Sequence, residues 1–421
     1  MKVIVLKGTL EKRDEELSKI PNDFFSEANL STYRKSTEMK NARQEGIYRS
    51  RQGATITPVP LWPIEFQTIR RRAGTGYQIL PSKDSGSYMI RSARWATNVT
   101  GTGTEKQKWR GLSLEGKCSL PNVFSVVSSS WLVPFALAHR YLVHIPAEVR
   151  GKGKTASITL RHDYAENNRG LQIWTDSNVD QSETAIRYWT ERAQQTWKDR
   201  KTEMSFKLVT ERLDYHNTLS SQKPFAIRVV HTRSRSFYAS VLNPHSKTAL
   251  GMPFYNAKIN TVEQENIVNS TYLPISGVIC DNLLHSILVD SEDEAYWISG
   301  LFNSKIFCKA VMKKALGEPP GIYTIPVKIM HDLNLSFNNT DRLHLALSNI
   351  SRILEKKMAE TITKYLNEEK SINTALIDDS DNGPEVPSTI SSALMRRLNA
   401  ESELRELDEL ATETIKKVRR R

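Results

Sequence analysis

Phe225-Ala226-Ile227-Arg228-Val229-Val230-His231, followed by Ser236-Phe237-Tyr238-Ala239-Ser240-Val241-Leu242, decides the class of fold. β-branched and aromatic residues dominate both runs, as they do in strands that pack on a half-buried sheet. Further runs at 272–278 and 287–289 make this region a β-rich block. Upstream, over 184–201, the period changes. Ala185, Trp189, Ala193 and Trp197 fall four apart, which places them on one helical face, the face expected to meet a core. Strands and helices therefore occupy separate stretches, and the expected class is α+β.

Outward from this block, Ile56, Val59, Leu61 and Trp62 sit among Pro and Gly and predict short strands joined by turns. Apolar runs at 123–127 and 131–137 predict buried strands punctuated by Pro134 and Pro146. Residues 291–310 read as a helix with Glu292, Asp293 and Glu294 in the first turn, where the helix dipole favours acids. Leu343, Leu347, Ile350, Leu354 and Met358 form a narrow seam suited to pairing with another helix. Residues 374–389 are rich in Asp, Gly and Pro and predict a flexible linker. Leu404, Leu407, Ala411, Ile415 and Val418 then mark an amphipathic helix ending in Arg419, Arg420 and Arg421. The organisation expected is a lead-in over 1–50, a basic β-rich part over 51–150, and a second α+β part over 151–335. A pairing helix over 336–370, the linker over 371–389 and a terminal helix over 390–421 complete it.

The 421 residues are 39% hydrophobic and 25% charged, with a formal charge of +12 and three cysteines, the profile of a globular chain without a disulfide framework. No apolar run approaches the roughly 20 residues that span a bilayer, and Met1 to Glu11 lack the order of a signal peptide. A cytoplasmic location with no membrane partner is expected. Cys118, Cys280 and Cys308 are expected to be buried thiols.

Familiar catalytic patterns fail on spacing. Gly153, Lys154 and Thr155 would close a P-loop, but Glu148 stands where its first glycine belongs. Gly101 and Gly103 are followed by Lys106 at the third glycine position, which excludes a dinucleotide fingerprint. Glu318-Pro319-Pro320-Gly321 lacks both the amide and the ring that hold a flipped adenine. His139 and His144 read as structural histidines, and the acids at 290–294 read as helix capping.

The positive charge is clustered. Residues 51–110 carry ten Lys/Arg against three acids, and residues 215–262 carry six against none, which leaves the rest of the chain close to neutral. Such clustering is the footprint of a phosphate-binding surface. Candidate DNA contacts in the first stretch are Arg51, Gln52, Arg70, Arg71, Arg72, Arg91, Arg94, Lys106, Lys108 and Arg110, with Trp95 and Trp109 as rings for stacking. In the second they are Arg228, Arg233, Arg235 and Lys247, interleaved with Phe237 and Tyr238.

Five motifs in order resemble a family. Arg51-Gln52-Gly53-Ala54 with Pro58 opens the series. Trp109-Arg110-Gly111-Leu112 follows, with Leu132-Val133-Pro134-Phe135 and Ile145-Pro146. Glu211-Arg212-Leu213-Asp214-Tyr215 comes next, with Leu219, Ser220 and Arg228-Val229-Val230. Glu294-Ala295-Tyr296-Trp297 with Leu301-Phe302-Asn303-Ser304, then residues 326–328 and the helix from Leu343-His344 to Leu347, complete it. Over 3–358 the chain resembles the C-terminal, target-recognition half of the large N6-adenine DNA methyltransferases of restriction and phage-defence systems. The family's catalytic half, with its cofactor-binding glycines and Asn-Pro-Pro-Tyr loop, has no counterpart here. The resemblance therefore implies a non-catalytic specificity subunit that binds double-stranded DNA. S-adenosylmethionine is then expected on a partner methyltransferase subunit rather than on this chain, with helicase or nuclease components as further partners. Two alternatives stay open: a diverged methyltransferase or nuclease, and an assembly scaffold that does not bind DNA.

Overall fold

The structure, a computed structural model, describes residues 48–56, 59–67, 69–72, 76–79, 87–97, 108–138, 141–166, 181–200, 206–232, 237–244, 256–259, 271–274, 276–315, 325–368 and 390–419. The chain divides into two units, Met1–Arg49 and Ser50–Arg421, and the second carries the architecture. The expected linker, and nearly all of the expected lead-in, lie outside the described residues.

The first strands along the chain are β1 (Ser50–Gln52), β2 (Pro63–Phe66), β3 (Ile69–Arg72), β4 (Gly76–Ile79), β5 (Met89–Ser92) and β6 (Glu115–Lys117). Then come β7 (Val123–Val127), β8 (Leu132–Val133), β9 (Ala136–Leu137), β10 (Tyr141–His144), β11 (Ala147–Arg150) and β12 (Ser157–Leu160). The last are β13 (Arg228–Thr232), β14 (Ala239–Leu242), β15 (Asn256–Ile259), β16 (Thr271–Pro274), β17 (Val278–Cys280) and β18 (Leu284–Leu288). The helices are α1 (Arg94–Thr97), α2 (Asp163–Glu166), α3 (Gln181–Arg200), α4 (Val209–Leu213) and α5 (Glu292–Asn303). They continue as α6 (Lys305–Ala315), α7 (Ile325–Asp332), α8 (Arg342–Glu368), α9 (Ile390–Arg397) and α10 (Glu401–Arg419). The class is α+β.

Among the described residues, three sheets have four or more strands. A mixed six-stranded sheet runs β17-β7-β10-β2-β5-β6, and an antiparallel sheet runs β1-β18-β13-β14. A third runs β16-β15-β4-β3. Each of them takes strands from both sides of residue 150, so the expected division there separates no folding unit. Long-range pairing, which local composition does not encode, overrides it.

The six-stranded sheet and α3 enclose the main core. Trp189 and Trp197 are 1% exposed, and Ala185 and Ala193 are buried with them, as their spacing requires. Trp197 stacks on Trp109 with ring centroids 6.0 Å apart, while Trp189 meets His144 edge-on at 5.6 Å. The described part of 53–62 forms a bridge and turns instead of strands, yet Ile56, Leu61 and Trp62 are wholly buried. Apolar burial there needs no ladder.

β8 and β9 turn through Pro134 and Phe135, whose φ of 68° belongs to the left-handed region. Phe135 tolerates this because its ring is buried, its N–H donates to Ala239 O at 3.0 Å, and its carbonyl accepts from Ser240 Oγ at 3.2 Å.

α5 lies on β13 and β14, and α8 packs against both α5 and α10. Leu347, Ile350, Leu354 and Met358 are buried and Leu343 is half-buried, so the seam on α8 finds its partners within this chain. The expected single helix over 291–310 breaks at Ser304, which adopts extended backbone and offers its Oγ to Phe307 N–H as the cap of α6. Acids at the start of α5 act as expected: Ser291 Oγ accepts from Glu294 N–H and Glu294 accepts from Asp290 N–H. The terminal helix is likewise two helices, α9 and α10.

Glu355 on α8 is enclosed against α5, where it accepts from the Tyr296 hydroxyl, and Arg352 lies over the Tyr296 ring at 4.5 Å. Burial raises the Glu355 carboxyl to about 7, the Tyr296 and Arg352 contacts opposing the shift. The folded chain thus holds a proton that the unfolded chain, titrating near 4.5, releases, and stability falls as pH rises through that window. Glu355→Gln should remove a decline on the order of 3 kcal/mol between about pH 5 and 7.5 in denaturant titrations. Parallel curves for the two proteins would refute the assignment.

At the junction of the sheets, Gly53 N–H donates to Leu284 O at 3.0 Å and Ala54 N–H to Cys280 O at 2.8 Å. A Cβ on Gly53 would stand 2.2 Å from Asp281 O and 2.4 Å from Cys280 O, both backbone atoms. Gly53→Ala is expected to cost about 2 kcal/mol or more, measured by thermal and urea unfolding, because the backbone must separate to admit the methyl group. An unchanged melting temperature would contradict the crossing.

Candidate nucleic-acid interface

The two basic stretches meet in the third sheet. β3 and β4 belong to the first stretch and pair antiparallel in the register Ile69↔Ile79, Arg70↔Gln78, Arg71↔Tyr77 and Arg72↔Gly76. β15 belongs to the second stretch and joins β4 in parallel through Ile259↔Ile79. β16 closes the sheet with Lys258↔Tyr272 and Ile259↔Thr271.

Pleat parity sorts these positions onto two faces, because laterally paired residues share a face and neighbours along a strand alternate. One face holds the positions of Ile69, Arg71, Tyr77, Ile79, Ala257, Ile259, Thr271 and Leu273. The other holds Arg70, Arg72, Gly76, Gln78, Asn256, Lys258, Tyr272 and Pro274. The first face is mostly apolar; the second is polar and basic, with no acid among its strand positions. Within the triple, register separates Arg71 from Arg70 and Arg72, a distinction that three consecutive arginines hide.

The other predicted residues are dispersed. Arg51 on the edge strand β1 is exposed and donates to Ser221 O at 3.0 Å. Its neighbour Gln52 donates to Asn282 O at 3.1 Å. Arg91 is directly opposite Glu65 across β2 and β5 and pairs with it at 3.4 Å, so part of its charge is met within the sheet. Lys108 is half-buried with Nζ 5.6 Å from the centre of the Trp109 ring, and Arg110 is exposed on the same turn. Arg94 opens α1. Lys106, Arg233, Arg235 and Lys247 lie outside the described residues.

Arg228 and Trp109 require correction. Arg228 is 2% exposed; its guanidinium donates to Val278 O at 2.8 Å and to Gln222 Oε1 at 3.4 Å. Gln222 in turn donates to Cys280 O and accepts from Cys280 N–H, so the guanidinium belongs to a buried clamp on β17. Burial lowers the Arg228 pKa. A side chain enclosed in this way has no route to a phosphate. Trp109 is 1% exposed and packed on Trp197, a core residue rather than a ring for stacking on bases, and Phe237 is 5% exposed.

The motifs rejected on spacing are structural where they are described. Gly153–Thr155 forms a short 3-10 turn in the β11–β12 hairpin, and Lys154 Nζ is bound by Asp290 Oδ1 at 2.8 Å. His144 is fully buried, accepts from Ser119 N–H at 3.0 Å through Nε2, and is pushed down to about 3 by burial, so it is a structural histidine. His139, Gly101, Gly103 and residues 318–321 lie outside the described residues. A cavity of about 530 Å³ lies beside the β11–β12 hairpin, α2 and α3. Arg161 on its wall is taken up by Glu148 at 2.6 Å and Asp163 at 3.0 Å. Cys280 is buried, whereas Cys118 and Cys308 are only partly so, and burial raises all three thiols. Among the described residues, no helix is long and apolar enough to cross a membrane.

In comparisons with known proteins, no family model matches the chain and no curated protein matches it.

Sequence reading passed over Gln78, Asn256, Lys258 and Tyr272, which share the face with Arg70 and Arg72. Lys258 lies in the acid-free stretch and was within reach of the charge count; the other three carry no charge signal. Arg228→Met should leave retention on a heparin column unchanged, whereas Arg51→Met should elute earlier. Equal shifts for both would place Arg228 on the surface.

Proposed function

We propose that this chain grips duplex DNA as the sequence-recognition part of an adenine-methylating restriction or phage-defence system, and performs no chemistry itself. Methyl transfer then belongs to a separate subunit that holds S-adenosylmethionine. The observation that carries this reading is the β4–β15 pairing, which joins two basic stretches far apart in sequence into one sheet. The polar face so formed has the residue types that duplex recognition uses. Arginine and lysine neutralise phosphates and release counterions, arginine bridges guanine, and glutamine or asparagine bridges adenine. β-ribbons and sheets are established readers of DNA grooves. The five motifs that resemble the target-recognition half of N6-adenine methyltransferases support the system to which the chain is assigned.

The helices narrow where a partner subunit can dock. The seams of α8 and α10 are occupied by each other and by α5, so a partner must use other surfaces.

Salt titration of duplex binding tests the reading. Each lost phosphate contact flattens the plot of log K against log salt by about 0.9. Arg70→Ala with Arg72→Ala should therefore flatten it by about 2, and Arg71→Ala, on the opposite face, by much less. A slope unchanged in the double variant would remove this sheet from the interface, and absence of duplex binding at low salt would overturn the proposal.

A further inference from the structure

The turn that follows α4 holds an aromatic ring and an imidazole in solvent on a constrained backbone. His216 and Asn217 adopt φ of 57° and 59°, two successive left-handed residues without a glycine between them. Asn and His enter this region more readily than other non-glycine residues, but as single positions; two in succession need support from their surroundings, and such positions gather at functional sites.

The enforcement is visible. Asp214 O accepts from Asn217 N–H at 2.8 Å, and Asp214 Oδ1 accepts from Leu219 N–H at 2.7 Å and Ser220 N–H at 2.9 Å. Thr218 Oγ1 donates to Tyr215 O at 2.8 Å, and Ser221 N–H donates to Asn217 O at 3.0 Å. Arg51 fastens the far end through Ser221 O. Despite these bonds, Tyr215 is 43% exposed, and His216 and Asn217 are exposed beside it. Phe206 supports the Tyr215 ring edge-on at 5.2 Å, and the His216 ring lies 3.9 Å from it. Arg212 sits 5.8 Å from the Tyr215 ring centre.

We propose that Tyr215 and His216 form a stacking platform for an unpaired base of a DNA ligand, with Arg212 supplying positive charge beside the Tyr215 ring. The chemistry of the surround favours a base over an apolar protein segment. Asn217, Thr218, Ser220 and Ser221 ring the turn, so a rigid aromatic surface stands among hydroxyl and amide groups. Two carboxylates of the same segment accept from backbone N–H groups: Asp214 as above, and Glu211 from Lys207 and Leu208. Stacking on such a ring is tolerant of sequence, so the platform would hold whichever base the duplex releases.

This inference rests on the DNA-binding reading, and the experiment separates the two. A duplex of about two helical turns is prepared fully paired, and again with one unpaired 2-aminopurine. Binding and 2-aminopurine fluorescence are measured at low salt for the wild type, Tyr215→Ala, Tyr215→Phe and the Arg70→Ala/Arg72→Ala variant. The wild type should prefer the bulged duplex and change its fluorescence. Tyr215→Ala should lose about tenfold on the bulged duplex and little on the paired one, with Tyr215→Phe close to wild type. Equal losses on both duplexes, or no wild-type preference for the bulge, overturn the platform while the DNA-binding reading stands. Normal paired-duplex binding by the double arginine variant, with the tenfold loss retained in Tyr215→Ala, overturns the role of the sheet and keeps the platform. No binding to either duplex overturns both.

Discussion

The close crossing of Gly53 over Cys280 and Asp281 is the constraint from which the rest of the unit follows. Cys280 ends a strand of the six-stranded sheet, and Leu284 begins a strand of the four-stranded one. By donating to both carbonyls, Gly53 and Ala54 fix the two sheets in one geometry and draw residues 50–54 against a segment more than two hundred positions away. A side chain of any size at position 53 would meet backbone atoms that cannot swing aside. On the same short segment Arg228 and Gln222 spend their polar groups, binding Val278 O and both backbone groups of Cys280. A buried guanidinium carries a large desolvation cost, which these hydrogen bonds offset. Its position here identifies the junction as a place where the fold accepts that cost for a defined arrangement.

Much of the architecture was legible because it depends on local period. The four-residue spacing of Ala185, Trp189, Ala193 and Trp197 leads directly to a buried face, and the alternating seam from Leu347 to Met358 leads to helix packing. Runs such as 123–127 and 228–232 are strands because their composition suits a sheet and little else. What composition could not convey was partnership. β1 pairs with β18, β7 with β17 and β4 with β15, each across well over a hundred residues, so boundaries drawn from shifts in composition cut through sheets that are continuous in space.

The candidate interface was legible in charge and illegible in geometry for the same reason. A count of cations treats Arg228 and Arg51 alike, yet one is enclosed by backbone acceptors and the other lies in water. Burial is set by tertiary pairing, and only pairing distinguishes a structural cation from one that can meet a phosphate. The triple Arg70-Arg71-Arg72 shows the point on a smaller scale, since a two-residue period divides neighbours that a net-charge window adds together. Uncharged members of the polar face were invisible for the complementary reason: Gln78, Asn256 and Tyr272 signal nothing until register places them beside the arginines.

Rigidity connects the junction to the exposed turn at Tyr215. Thr55 N–H donates to Leu213 O, the last residue of α4, directly before the turn, so the segment that crosses at Gly53 also holds the helix that carries the turn. From the other side, Arg51 reaches Ser221 O, and Gln222 is anchored on Cys280. Both ends of the turn are therefore fastened to the junction, which leaves little freedom to relax the left-handed residues between them. A surface group held by its own loop would lose entropy on meeting a ligand, whereas one held by the core has lost it already, during folding. The crossing that unites the sheets thus also sets the conformation in which Tyr215 and His216 meet whatever binds them.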